Sequence, residues 1–130
     1  MLGAHRICIV DEDPYHLKVM GLMLQYRNAY KTFAFDNAER AWTYTLMCRP
    51  TAIVCDWRLR PVGGLSLLKR VRSHYLTRET PFLMVSAEPT EEDVQLALAE
   101  GADALLPKPF SLTTLFDAVA HASEKRGAKR

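Results

Sequence analysis

A handful of polar side chains in this 130-residue sequence sit where they could do chemistry: Asp11 with Glu12, Asp56, Ser86 and Lys108. Each follows a short, mostly apolar run: ICIV, AIVC, FLMV and ALLP in turn. Three carboxylates brought to one place repel one another and call for a counter-charge. A hard divalent cation with oxygen ligands meets that need, and magnesium typically does so with one or two carboxylates, water and phosphoryl oxygens. Lys108 adds a compact ammonium on a flexible stem, suited to a phosphoryl group or a carboxylate. Ser86 adds a hydroxyl donor. A carboxylate nucleophile, a divalent cation, an ammonium and a hydroxyl together make a site that can form an aspartyl phosphate. Taken singly, the same residues read more plainly. Asp11 and Glu12 would be solvated carboxylates ahead of a helix, Asp56 and Ser86 turn residues, and Lys108 a surface lysine between two prolines.

The convergence depends on the elements that carry these residues. Strand-like runs fall at 6–10, 31–35, 52–55, 81–85 and 103–106. The first, third and fourth are nearly continuous apolar stretches, as central strands of a parallel sheet covered on both faces should be. Helical spacing lies between and after them. Leu112, Leu115, Phe116 and Val119 follow i, i+3, i+4, i+7, and Leu65, Leu68, Val71 and Tyr75 repeat the pattern. Asp13 before Pro14, Thr90 with Asp93, and Ser111 mark helix starts, while Gly101 marks a helix end. The alternation predicts an α/β fold, a doubly wound five-stranded parallel sheet in the order 2-1-3-4-5. In such sheets the first and third strands meet at the switch point, and ligands bind beyond the C-terminal strand ends.

Composition narrows the field. The 17 basic and 15 acidic side chains leave a net charge of +2, too balanced for a dedicated nucleic-acid coat. Nothing approaches the roughly 20 apolar residues of a membrane span, and residues 1–10 are too weakly apolar for a signal peptide. Cys8, Cys48 and Cys55 are odd in number and lack CxxC spacing, so they read as reduced thiols of a cytoplasmic protein. His5, His16, His74 and His121 are scattered and read as surface or satisfied residues.

Five motifs in order, IVDEDP at 9–14, VCDW at 54–57, GLSLLKRVR at 64–72, MVSAEP at 84–89 and GADALLPKPF at 101–110, resemble those of the receiver domain of two-component response regulators, the CheY-like fold. The resemblance spans essentially the whole chain. It implies that Asp56 is the phosphoryl acceptor and that Asp11, Glu12, Asp56 and the backbone carbonyl of Arg58 hold Mg2+. It implies that Ser86 and Lys108 contact the phosphoryl oxygens, and that the Lys108–Pro109 bond is cis. The donor would be a sensor histidine kinase or a histidine phosphotransfer protein. Output would pass to a downstream protein, with no direct DNA binding, and homodimers occur among such relatives. The expected organisation is a receiver domain over 1–124 and a basic tail over 125–130, in a signalling protein and not an enzyme. That tail reads as a solvated helix end or as an anchor for an acidic partner.

The chain departs from the family pattern in four places. Glu12 stands where Asp is more usual. Arg60, followed by Pro61, replaces the proline four residues after the acceptor. Arg58 replaces a smaller residue two after it, and Leu105 replaces an aromatic that switches rotamer. Arg58 and Glu88 are expected to flank the opening used by attacking water and to pair across it. These departures keep open a phosphorylation-independent binding module. A flavodoxin-type FMN binder fits poorly, because Asp11, Glu12 and Asp13 would repel its phosphate. A haloacid-dehalogenase-type phosphatase fits poorly too, since Arg58 occupies the place of its second aspartate.

Overall fold

The computed structural model describes residues 5–127. Strands β1 (Arg6–Val10), β2 (Lys31–Phe35), β3 (Ala52–Asp56), β4 (Phe82–Ser86) and β5 (Ala104–Pro107) alternate with helices α1 (Pro14–Leu24), α2 (Ala38–Cys48), α3 (Gly64–Ser73), α4 (Glu91–Ala99) and α5 (Leu112–Gly127). All neighbouring strands run parallel in the order β2-β1-β3-β4-β5, the topology the sequence predicts.

Every position of β3 and β4 is buried, and four of five in β1. That two-sided cover explains their uninterrupted apolar runs. Successive side chains leave a strand on opposite faces, so the core splits in two. Cys8, Val10, Ile53, Cys55, Phe82 and Met84 pack against Ala41 of α2, Leu67, Leu68 and Val71 of α3, and Ala97 of α4. Ile7, Ile9, Val54, Leu83 and Val85 pack on the other face against Met20 and Leu24 of α1 and Leu115, Val119 and Ala122 of α5. Burial pushes the Cys8 thiol up to about 12, and burial likewise raises Cys55. Both are inert core thiols, and all three cysteines are free.

The expected caps form. Asp13 Oδ1 accepts from Tyr15 N at 2.9 Å with Pro14 at the helix start. Thr90 and Asp93 complete a reciprocal capping box, and Ser111 Oγ accepts from Thr114 N at 3.0 Å. Gly101 takes φ +106°, the left-handed turn that ends α4. One expectation fails at α3. Its apolar stripe is Gly64, Leu67, Leu68 and Val71, and the helix stops at Ser73. His74 is extended, so Tyr75 leaves the stripe and is 74% exposed. Periodicity ran on in the sequence past the point where the backbone turns away.

The basic end also differs from its solvated reading. Helix α5 continues through Lys125 and Arg126 to Gly127, and 128–130 lie outside the described residues. Arg126, with a side chain only 11% exposed, donates to Asp103 Oδ1 at 2.9 Å, Glu79 Oε1 at 3.1 Å and the Gly101 carbonyl at 3.0 Å. Arg72 of α3 donates to Asp103 Oδ2 at 3.4 Å and to the Thr80 and Gly101 carbonyls. Burial first, then the charge of Arg126, lowers the Arg72 pKa to about 10, leaving it charged at neutral pH. Asp103 also accepts from Phe82 N at 2.9 Å, so one 2%-exposed carboxylate ties α3 and α5 to the starts of β4 and β5. Deleting it would remove the carboxylate that two largely buried guanidiniums share. Asp103→Ala is expected to cost about 3–5 kcal/mol of unfolding free energy, the range for breaking a buried pair, read from urea denaturation.

Candidate functional site

Parallel pairing brings the strand ends level. Val10 pairs with Cys55, Asp56 with Val85, and Ser86 with Pro107. Asp11, Asp56, Ser86 and Lys108 therefore leave the same C-terminal edge of the sheet. Strand β3 runs one residue further than expected and includes Asp56, because Trp57 N still donates to the Val85 carbonyl at 2.8 Å. Lys108 N donates to the Ser86 carbonyl at 2.7 Å, which ties the β5 exit to the end of β4. The Lys108–Pro109 peptide is cis, as implied, and so is Arg60–Pro61.

From that anchor the Lys108 ammonium reaches past β4 to both neighbouring carboxylates. Nζ donates to Asp11 Oδ2 and to Asp56 Oδ1, each at 2.8 Å. The remaining oxygens follow one local pattern. Asp11 Oδ1 accepts from Asp13 N at 2.9 Å, and Asp56 Oδ2 accepts from Arg58 N at 3.0 Å. Each aspartate thus shares the lysine and orders the turn two residues ahead. Asp11 is 2% and Asp56 9% exposed, so their repulsion needs the cation between them. Burial alone would lower the Lys108 pKa, but its hydrogen bonds to Asp11 and Asp56 and their charges outweigh burial and raise it. A raised lysine contributes fully below its unfolded value, so the clamp is complete at neutral pH and is lost only as pH climbs through the raised value.

Helix α3 sets the back wall. Gly64 N donates to the Trp57 carbonyl at 3.0 Å. A Cβ on Gly64 would collide with the Asp56 carbonyl oxygen, with Met84 Sδ at 3.0 Å and Cys55 Sγ at 3.1 Å. Only glycine lets α3 begin so close to the Asp56 backbone. Ser86 is 2% exposed at the end of β4. Leu105, paired with Met84, packs against the α3-side core as a partly buried side chain.

Glu12 is engaged elsewhere. Its Oε2 accepts from Arg60 N at 2.6 Å and its Oε1 from Arg60 Nε at 3.0 Å. Two separate departures from the family pattern, the longer carboxylate and the arginine, are one contact across 48 residues of sequence. Arg58 and Glu88 form no ion pair among the described residues, so the expected pairing across the opening is absent. The wrong arginine carried that expectation: Arg60 takes a carboxylate, and Arg58 contributes its backbone. The hard oxygens of Asp11, Glu12 and Asp56 fit a magnesium ion in type. Among the described residues, however, no three histidine, cysteine or acidic side chains are grouped to hold a metal as they stand. Asp11 and Asp56 are gathered on Lys108, and Glu12 would have to leave Arg60 to join them.

The family described as response regulator receiver domain matches residues 7–120. The chain belongs to that family. Receivers are the signalling domains of two-component systems, and phosphoaspartate and Mg2+ are typical of them. This receiver is 34% identical to the nisin biosynthesis regulatory protein NisR of Lactococcus lactis subsp. lactis over 111 residues, 85% of this chain and 47% of NisR. It is 30% identical to the phosphate regulon transcriptional regulatory protein PhoB of Escherichia coli K12 over 108 residues, 83% of this chain and 47% of PhoB. The chain spans about half the length of these curated relatives. Its fold matches the chemotaxis response regulator CheY4 of Vibrio cholerae with a TM-score of 0.83 at 24% identity, covering 92% of this chain and 99% of that one.

Two contacts of the receiver had no reading in the sequence. Glu12–Arg60 joins residues on different loops, and only the path of the β3–α3 loop reveals it. His16 stands beside Lys108; its one signal was a place on the first turn of a helix that follows β1. Because Arg60 occupies Glu12, removing that side chain should favour magnesium. In a Trp42→Phe background Trp57, next to Asp56, reports alone. Arg60→Ala is expected to move the magnesium midpoint of its fluorescence about two- to fivefold lower, within what an exposed pair of about 0–1 kcal/mol allows.

Proposed function

We propose that this receiver works as a phosphorylation-switched signalling protein, with Asp56 taking a phosphoryl group from a phosphorylated histidine of a sensor kinase or histidine phosphotransfer protein. One observation carries the reading: a single ammonium, Lys108, held at 2.8 Å from both Asp11 and Asp56 at the mouth of the sheet. An Asp56 oxygen attacks phosphorus while the P–N bond to the donor imidazole breaks. The electron pair leaves with that nitrogen, so no proton need pass through Asp56. Lys108, freed from the carboxylate charge that acyl phosphate formation removes, follows the negative charge onto the phosphoryl oxygens. Ser86, at the end of the adjacent strand, offers its hydroxyl to the same group. Arg58 N keeps the second Asp56 oxygen in place.

Mg2+ held by Asp11, Glu12, Asp56 and the Arg58 carbonyl would neutralise charge on the transferring group. A groove of about 410 Å3 beside Lys108, lined by Tyr15, Val19, Met23, Pro109 and Phe110, supports docking of the donor next to the acceptor. In this reading the receiver's own surface meets the downstream protein. It acts in the cytoplasm, without direct DNA contact and without turnover of a substrate, and a homodimer is compatible with it. Leu105 lacks a ring to swing, so signal passes from Ser86 through the 87–89 loop.

The occupied Glu12 favours one rival, a binding module that works without phosphorylation. Intact mass after incubation with magnesium and acetyl phosphate separates the two. The proposed function expects one added phosphate on the wild type and none on Asp56→Asn; an unmodified wild type would favour the rival.

A further inference from the structure

The Lys108 ammonium has three hydrogens and, in Asp11 and Asp56, two acceptors. A third acceptor lies beside it. His16, on the first turn of α1, places Nδ1 3.0 Å from Lys108 Nζ and 3.4 Å from Asp11 Oδ2. Across the ring, Nε2 is 3.5 Å from Asp13 Oδ2, on the residue that caps α1. An ammonium only donates, so Nδ1 accepts, and the ring hydrogen then belongs on Nε2 facing the Asp13 carboxylate. At 3.5 Å that carboxylate is a charge contact and not a hydrogen bond, so the tautomer is set by the Lys108 ammonium on the other side of the ring.

We infer that His16 is a positioning residue for phosphoryl transfer to Asp56: its Nδ1 accepts a hydrogen bond from the third ammonium hydrogen of Lys108 beforehand, and that hydrogen bond passes to a phosphoryl oxygen, the hydrogen staying on Nζ, as the acyl phosphate forms. This inference rests on the proposed function. Of the three acceptors the imidazole is the uncharged one. Hydrogen bonds to an ionised acceptor are roughly twice as strong as neutral ones, so an incoming phosphoryl oxygen displaces His16 in preference to either aspartate. Until then His16 denies the lysine any other direction. The Lys108 side chain is 14% exposed, so a hydrogen left without a partner there has little water to turn to. An ammonium already aimed needs no reorganisation during transfer, which is where preorganised charge accelerates a reaction.

The test compares His16→Leu with His16→Asn. Asparagine sets an acceptor oxygen close to the place of Nδ1, and leucine fills similar space with none. Acetyl phosphate serves as donor: an Asp56 oxygen bonds to phosphorus, the P–O bond to the acetyl group breaks, and acetate departs with the electron pair. Intact mass follows the rate of phosphate gain. The 15N-resolved ammonium signal of Lys108, assigned by its loss in Lys108→Ala, reports the contact in the unphosphorylated protein. Wild type and Asn are expected to keep a slowly exchanging signal and similar rates. Leu is expected to lose the signal and to gain phosphate about fivefold more slowly, about 1 kcal/mol in the barrier, while remaining folded. A Leu variant at the wild-type rate, or an Asn variant as slow as Leu, overturns the role of His16. If Leu fails to fold, His16→Gln replaces it. Its acceptor sits one bond further out, so Asn should be the faster of the two, and equal rates overturn the proposal. A wild type that takes no phosphate sinks the transfer function itself, whereas a phosphorylated wild type with an indifferent His16 sinks this inference alone.

Discussion

Two buried carboxylates and one ammonium govern this molecule's chemistry. Asp11 and Asp56 leave adjacent strands at the same height, and without Lys108 their charges would face each other in a place with little water. The lysine comes from 97 residues beyond Asp11. No local preference of the chain could deliver it there; only the 2-1-3-4-5 order of parallel strands does. The charge cluster is therefore a property of topology. The price of concentrating charge is met by placing the cation just after β5, two places from β3 and three from β1 in the sheet.

That dependence explains what could be read from the residues. The central strands announced themselves because both their faces are buried, leaving no polar position to interrupt ICIV, AIVC or FLMV. The residues closing those runs were then forced to one edge, and Asp11, Asp56, Ser86 and Lys108 followed. The caps were legible for a different reason: each satisfies backbone N–H groups within three residues of itself.

Features that depend on a loop's path or on tertiary charge were not legible. Tyr75 continued a helical period although the chain had already turned extended at His74. Lys125 and Arg126 looked like a solvated charge run. Yet Arg126, near the end of α5, packs against Asp103, a carboxylate 23 residues away whose burial no local pattern disclosed. At the β3–α3 loop, Arg58 and Arg60 were equally placed in sequence to meet a carboxylate. The backbone bond from Arg60 N to Glu12 decided between them, because it carries the Arg60 side chain to the same acceptor.

Strand β5 joins the two charged regions. It is four residues long, lies at the sheet edge and is only partly buried, so apolar packing holds it less firmly than β3 or β4. Charge is fixed at both of its ends instead. Asp103, just before it, is gripped by Arg72 and Arg126; Lys108, just after it, grips Asp11 and Asp56. Ladder bonds to β4 keep the register between those points. A short edge strand with both ends pinned cannot slide without breaking ion pairs at one end or the other. The lysine thus enters the site from a strand whose position is set at its far end, and the reach of its side chain is the freedom that remains. That freedom is what a change of charge on Asp56 can redirect.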